Sequence, residues 1–109
     1  RARMANRFRT FLDEGCTMAF GSDGMPFSPR VGVQAAVHHV VPDERITLDE
    51  AVFAYTHEAA RSLHVEQEVG DLSVGRWAAF LYQQAPWRDL LESPWHLQIP
   101  GQVPRQIQK

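Results

Sequence analysis

MANRFRTFLDEGCTMAFGSD, residues 4–23, contains a helix pattern, a glycine and a short apolar run in succession. Its apolar residues recur at helical spacing up to Leu12, and Gly15 predicts the end of the helix. Residues 16–20, CTMAF, then form an apolar run that is typical of a strand buried on both faces. Helix, glycine and buried strand in this order predict the α/β fold class.

Two further helices are expected downstream of this unit. Residues 31–41 are mostly apolar and predict a short helix that ends before Pro42. Thr47 and Glu50 have the spacing of a capping box, and apolar residues recur at helical spacing behind them. This pattern predicts one helix over residues 48–64.

The remaining residues favour short strands. In residues 70–83, Gly75 separates two runs with β-like composition, and the second run is aromatic. Near the end of the chain, Pro100 and Gly101 predict a turn and Pro104 marks an edge strand.

Composition excludes several classes of function. The length of 109 residues suits at most one domain. The net charge is −2 and the basic residues do not cluster, so we expect no nucleic-acid partner. No apolar run reaches the roughly 18 residues of a membrane span, and no signal peptide is visible. The single cysteine excludes an internal disulfide and favours a reducing, cytoplasmic location. The first methionine is Met4 and the sequence enters directly into a helix pattern, which suggests a piece of a longer protein or a processed amino terminus.

Asp23 is the candidate functional residue. It follows the predicted strand after Gly21 and Ser22, at the end where α/β proteins place their ligands. A carboxylate there can bind a metal ion or accept a proton from an attacking water. The alternative is a loop aspartate that forms an Asx turn or caps the helix near residue 31.

The histidines and the cysteine are weaker candidates. His38 and His39 are adjacent, so on a helix they diverge by about 100° and favour surface positions over a shared metal. His57 and His64 are expected two turns apart on one helix, solvated or partly buried. Cys16 begins the predicted strand, so a core thiol is favoured over a nucleophile.

Three tryptophans lie in the last third of the chain, at positions 77, 87 and 95. They predict the core of a small terminal domain or a surface that packs on another part of a protein. The alternative is a stacking platform for a binding partner.

The order of motifs resembles the carboxyl-terminal third of an amidohydrolase-superfamily enzyme, of the amidohydrolase family 3 type. The matching stretches are RTFLDEG (9–15), AFGSD (19–23), Pro26 and Pro29, RITLDEA with AYT and AA (45–60), and GDLSVGRWAAF (70–80). Ala79 departs from the pattern, because the family usually has aspartate there.

The resemblance implies that residues 1–66 hold the last strand and helices of a (β/α)8 metal-dependent hydrolase barrel, and that residues 67–109 are strands of a small accessory β domain. Asp23 would end the last barrel strand, ligate a divalent metal, most often zinc, and shuttle protons. The substrate would be a small molecule with an amide or other C–N bond.

The family's other metal ligands have no counterpart in these residues. We therefore expect the chain alone to be inactive and to bind no metal tightly. It would act together with the remainder of the enzyme, or form a homo-oligomer. The alternative is a non-catalytic remnant, a structural or partner-binding module with an exposed aromatic surface.

Overall fold

The computed structural model describes residues 5–23, 28–101 and 105–107. Within these ranges the helices are α1 (Phe8–Asp13), α2 (Pro29–Val37), α3 (Leu48–Tyr55) and α4 (His57–Ser62). The strands are β1 (Phe80–Tyr82), β2 (Trp95–Gln98) and β3 (Arg105–Ile107), and short 3₁₀ turns lie at Pro42–Glu44 and Trp87–Asp89. The chain therefore combines helices and strands, as the α/β class predicts.

The core lies where α2 packs on α3. Val33 and Ala36 of α2 and Ala51 of α3 are buried, because small side chains let the two helices approach closely. Leu90 and Trp95, from the region of the sheet, belong to the same buried cluster. The helices and the sheet therefore share one apolar core.

The capping box at the start of α3 is confirmed. The Glu50 amide donates to the Thr47 hydroxyl over 3.2 Å, and the Glu50 carboxylate accepts from the Thr47 amide over 2.7 Å. These bonds satisfy two amides that the first helical turn would otherwise leave free.

The prediction of one helix over residues 48–64 was wrong. The helix breaks at Thr56, where φ is −112° and ψ is −85°, and α4 then runs only to Ser62. The Thr56 hydroxyl donates to the Val52 carbonyl over 2.8 Å, a bond that competes with the regular helical pattern. His64 lies beyond the helix with a φ of +58°, so His57 and His64 do not share a helix face.

Helix α2 lies earlier than predicted. It spans Pro29–Val37 instead of residues 31–41, because proline is favourable at the first helical position, where no amide is needed. Pro42 begins a 3₁₀ turn instead of directly following the helix.

The strand predicted at residues 16–20 was also wrong. These residues have no strand assignment, and Cys16, Thr17 and Ala19 are exposed. A strand needs a neighbour to pair with its backbone, and within the described ranges no strand lies beside this segment. Cys16 is consequently an exposed free thiol instead of the expected core thiol.

A three-stranded antiparallel sheet, in the order β1-β2-β3, lies towards the end of the chain. The predicted turn is confirmed, since Pro100 and Gly101 form a turn after β2 and Gly101 has a φ of +76°. Of residues 70–83, only β1 is a strand; Gly75 lies in a turn with a φ of +93°. Pro104 lies outside the described residues, as does Pro26.

No helix in the described part of the chain is both long and apolar enough to cross a membrane.

Candidate functional site

Asp23 follows residues 16–22, which form neither a helix nor a strand, and lies in a turn. Its side chain is exposed and its φ is +46°, a left-handed conformation that aspartate tolerates better than most residues. Among the described residues, no hydrogen bond or ion pair engages its carboxylate. The position fits a carboxylate available to solvent, although the predicted strand before it has not formed.

Phe20 anchors the segment that leads to Asp23. The Phe20 amide donates to the Ala54 carbonyl over 3.0 Å, which ties the segment to the end of α3. Its ring lies 5.0 Å from the Phe8 ring and 5.4 Å from the Tyr55 ring, centroid to centroid. These aromatic contacts hold the segment between α1 and α3.

The helix before the segment is held by a buried carboxylate. Glu44, 6% exposed, accepts from the Thr10 amide over 3.0 Å and from the Thr10 hydroxyl over 2.5 Å. Arg7 adds a longer ion pair at 3.5 Å. The Thr10 hydroxyl and amide, helped by Arg7, lower the pKa of Glu44 below its ordinary value. Glu44 therefore fixes α1, and with it the start of the segment.

A second carboxylate joins α1 to α3. Arg9 pairs with Glu50, the residue of the capping box, and lies 3.3 Å from Asp13 on its own helix. The side chains that cap α3 therefore also hold α1.

The structure does not bring the histidines together. His38 is exposed at the end of α2, as expected, but His39 is buried, with its ring 5.5 Å from the Phe8 ring. The prediction of a surface position was wrong for His39, because the chain turns inward there and the His39 Nδ1 accepts from the Val41 amide over 3.0 Å.

Two of the remaining three histidines stack on aromatic rings. His57 stacks on Phe53, 4.6 Å between ring centroids, and His96 stacks on Tyr82 at 5.1 Å. In the part of the chain that the structure describes, no group of three His, Cys, Asp or Glu residues could hold a metal ion. The described residues alone therefore do not fit a metal site.

The tryptophans divide between core and surface. Trp95 is buried and donates its Nε1–H to the Leu90 carbonyl over 2.7 Å. Trp77 and Trp87 are more than half exposed, although Trp87 donates to the Asp49 carboxylate over 3.0 Å. Trp95 is therefore part of the core that the sheet shares with the helices, whereas Trp77 and Trp87 lie at the surface.

A largely apolar cavity of about 800 Å³ lies between the helices and the sheet. Its lining includes Pro29 and Val33 of α2, Tyr55 of α3 and Leu97 of β2. Sequence reasoning missed this cavity, because its lining comes from distant parts of the chain and only the packing shows the space between them.

Sequence reasoning also missed two features of α2, the serine at its N-cap and the close approach of the Tyr55 hydroxyl to Gly32. Ser28 is the N-cap residue, and its hydroxyl makes no capping bond. Gly32 was the one available signal, because a helical glycine often marks the close approach of another group. Here a Cβ at position 32 would overlap the Tyr55 hydroxyl.

Known proteins match most of this chain. The profile of the amidohydrolase family matches residues 1–92. An imidazolonepropionase of Symbiobacterium thermophilum is 33% identical over 95 residues, which cover 86% of this chain and 20% of that protein. A probable imidazolonepropionase of Homo sapiens is 31% identical over 97 residues, which cover 79% of this chain and 23% of that protein.

A plant protein also matches. The Arabidopsis thaliana protein LONG AFTER FAR-RED 3 is 31% identical over 84 residues, which cover 68% of this chain and 14% of that protein. The chain thus spans about a fifth of the length of the first two relatives. No solved structure matches the chain significantly.

Proposed function

The chain belongs to the amidohydrolase family, and on that premise we propose that it supplies the acid–base carboxylate, Asp23, of a metal-dependent hydrolase of C–N bonds. The observation that carries the proposal is the position of Asp23 at the end of a segment that is anchored at Phe20. Family membership supports a hydrolysis, and this segment presents an exposed carboxylate that no described group engages.

We further propose that residues 16–22 become the last strand of a (β/α)8 barrel. The segment is fixed at Phe20, and three of its side chains are exposed. Most of its backbone groups have no partner among the described residues, so a neighbouring strand could pair with them. In this arrangement residues 1–66 belong to the catalytic barrel and residues 67–109 to an accessory β domain.

Asp23 would carry the proton transfers. One carboxylate oxygen accepts the proton of the attacking water, and the same group then delivers it to the nitrogen of the leaving amine. A divalent metal, zinc in our proposal, would supply Lewis-acid polarisation of the substrate carbonyl when bound. The described residues contribute at most one ligand to it, Asp23, so its remaining ligands must come from outside them.

The substrate is proposed to be a small molecule with an amide or similar C–N bond. The names of several relatives identify them as imidazolonepropionases, so an imidazolone is the first compound to assay. We place the enzyme in the cytoplasm, because its single cysteine is free and exposed.

The alternative function is a non-catalytic module that binds a partner or a second copy. Val74 and Trp77 favour it, because both side chains are largely exposed and apolar. Such a module would leave Asp23 without a role.

Hydrolysis by the complete gene product tests the proposal. Replacement of Asp23 by asparagine should remove most turnover while leaving part of the bound metal, since proton transfer is lost and other ligands remain. Asp43→Asn is the matched control, because Asp43 is also an exposed turn carboxylate and should retain activity. Full activity of Asp23→Asn would exclude Asp23 as the acid–base carboxylate, and no hydrolysis by the native protein would favour the non-catalytic alternative.

A further inference from the structure

The cavity between the helices and the sheet is open to solvent. Its lining includes Leu63 and Leu72, which are each 72% exposed, and these two side chains mark its mouth. Val33 and Trp95, which are buried in the core, also line it. Because the same cavity reaches from exposed to buried side chains, a small molecule in solvent has access to its interior. Its volume of about 800 Å³ lies within the range of small-molecule sites in proteins.

Aromatic rings provide much of the lining. They belong to Tyr55, Phe80, Tyr82, Trp87 and Trp95. The indole N–H of Trp95 donates to the Leu90 carbonyl over 2.7 Å. The indole N–H of Trp87 donates to the Asp49 carboxylate over 3.0 Å. Both indole donors are therefore engaged within the protein, and the two rings offer a ligand apolar contact and stacking. A lining of this kind favours an aromatic ligand.

Charged groups are nearly absent from the described lining. Asp71 is its one carboxylate, and it contains no lysine, arginine or histidine. The Asp71 carboxylate accepts from the Ser73 amide over 2.8 Å and pairs with Arg76, whose Nε lies 3.1 Å away. An anionic ligand would lose its hydration here without meeting a cation, and a cationic ligand would meet a carboxylate that is already paired. The lining therefore favours an uncharged ligand.

We propose that this cavity is a binding site for an uncharged aromatic molecule of drug-like size. Removal of apolar surface from water drives the binding, and the aromatic rings of the lining add stacking and edge-to-face contacts. Asp23 is not among the described lining residues. The inference therefore goes beyond the proposed function and does not rest on it.

The test uses two fluorescent compounds that differ in one group. N-phenyl-1-naphthylamine is uncharged and aromatic, and 8-anilino-1-naphthalenesulfonate adds a sulfonate to the same skeleton. Both fluoresce strongly only in apolar surroundings, so fluorescence titrations of the 109-residue chain report their binding. We expect the uncharged compound to bind saturably, one molecule per chain, and about tenfold more tightly than the sulfonate. Equal or tighter binding of the sulfonate would overturn the proposal. So would the absence of saturable binding, which would leave a partner chain or a second copy as the occupant.

A cavity-filling variant tests the location of the bound compound. Ala59, on α4, is half-buried and lines the cavity. Ala59→Phe should place a ring in the cavity and weaken N-phenyl-1-naphthylamine about tenfold. Ala35→Phe is the matched control, because Ala35 is exposed on α2 and is not a lining residue, so this variant should bind as the native chain does. Equal affinities of the two variants would show that the compound does not occupy the cavity.

A charge variant at the mouth tests the preference for an uncharged ligand. Leu72→Arg adds a cation at an exposed lining position and should strengthen the sulfonate about tenfold relative to the uncharged compound. Val74→Arg adds the same charge at a fully exposed position outside the lining and should leave the ratio of the two affinities close to the native value.

An unchanged ratio in Leu72→Arg would contradict the proposal. A loss of folded protein would weaken both compounds together, so it cannot imitate the expected change in ratio. These titrations need neither metal nor turnover, so their failure is distinct from failure of the hydrolase proposal.

Discussion

The α2–α3 helix pair and the segment 16–23 contain similar apolar sequence, but they reach different structural states. The helices bury Val33 and Ala51 against each other. In the segment, the described backbone hydrogen bonds are Cys16 to Phe11 and Phe20 to Ala54. A helix satisfies its own backbone, whereas a strand depends on a neighbour. An apolar stretch can therefore form a helix by itself, but it forms a strand only where a neighbouring strand pairs with it.

Glycine-to-alanine substitutions should give the largest difference in stability between the helix pair and the segment. Gly32→Ala places a Cβ where the Tyr55 hydroxyl lies, so we expect a loss of about 1–2 kcal/mol of unfolding free energy after the gain in helix propensity. Gly21→Ala meets no atom within 4 Å and should change stability by less than about 0.5 kcal/mol. Urea denaturation measures both; equal effects would remove the distinction between the regions.

Threonine-to-alanine substitutions give the next largest difference. Thr47→Ala removes the N-cap acceptor of α3 and should cost about 0.5–2 kcal/mol. Thr17→Ala is its control, because Thr17 is exposed in the segment and should be close to neutral. An unchanged denaturation midpoint for Thr47→Ala would mean that the capping box does not stabilise the helix.

The capping box was predictable because all its information lies within four residues. The helix break at Thr56 was not predictable, because it depends on whether the Thr56 hydroxyl donates to a helical carbonyl or to solvent. The strand at 16–20 was predicted from composition, which cannot tell whether a pairing neighbour is present. His39 was misplaced for a related reason, because the turn that buries it follows the helix end.

The pH dependence of stability should show a smaller difference. Thr10 and Arg7 lower the pKa of Glu44 below 4.5, so its stabilising contribution is present above pH 4.5 and is lost as the pH falls through the lowered value. Glu44→Gln should therefore flatten the fall in thermal midpoint between pH 6 and pH 3. Glu14→Gln, at an exposed position, should follow the native curve. Parallel curves for all three proteins would exclude Glu44 as the carboxylate that fixes α1.

Of the candidate site, the sequence predicted Asp23, whose role remains a proposal. The family resemblance carried that prediction, because one aspartate after a short apolar run has many ordinary explanations. The contact between Tyr55 and Gly32 was not predictable, since the two residues are separated by about 23 positions in the sequence. Local sequence patterns identify helix caps and helix faces, whereas contacts between residues far apart in the sequence are seen only in the three-dimensional structure.

The central claim is that Asp23 is one ligand of a metal site whose other ligands lie outside the described residues. Its most direct test is a calorimetric titration of the 109-residue chain with zinc. Circular dichroism of the same sample verifies that the helices are formed. Tight zinc sites need three or four converging ligands, and one exposed carboxylate holds the ion weakly. We predict no stoichiometric binding in the submicromolar range. One zinc ion bound per chain at submicromolar affinity would contradict the account.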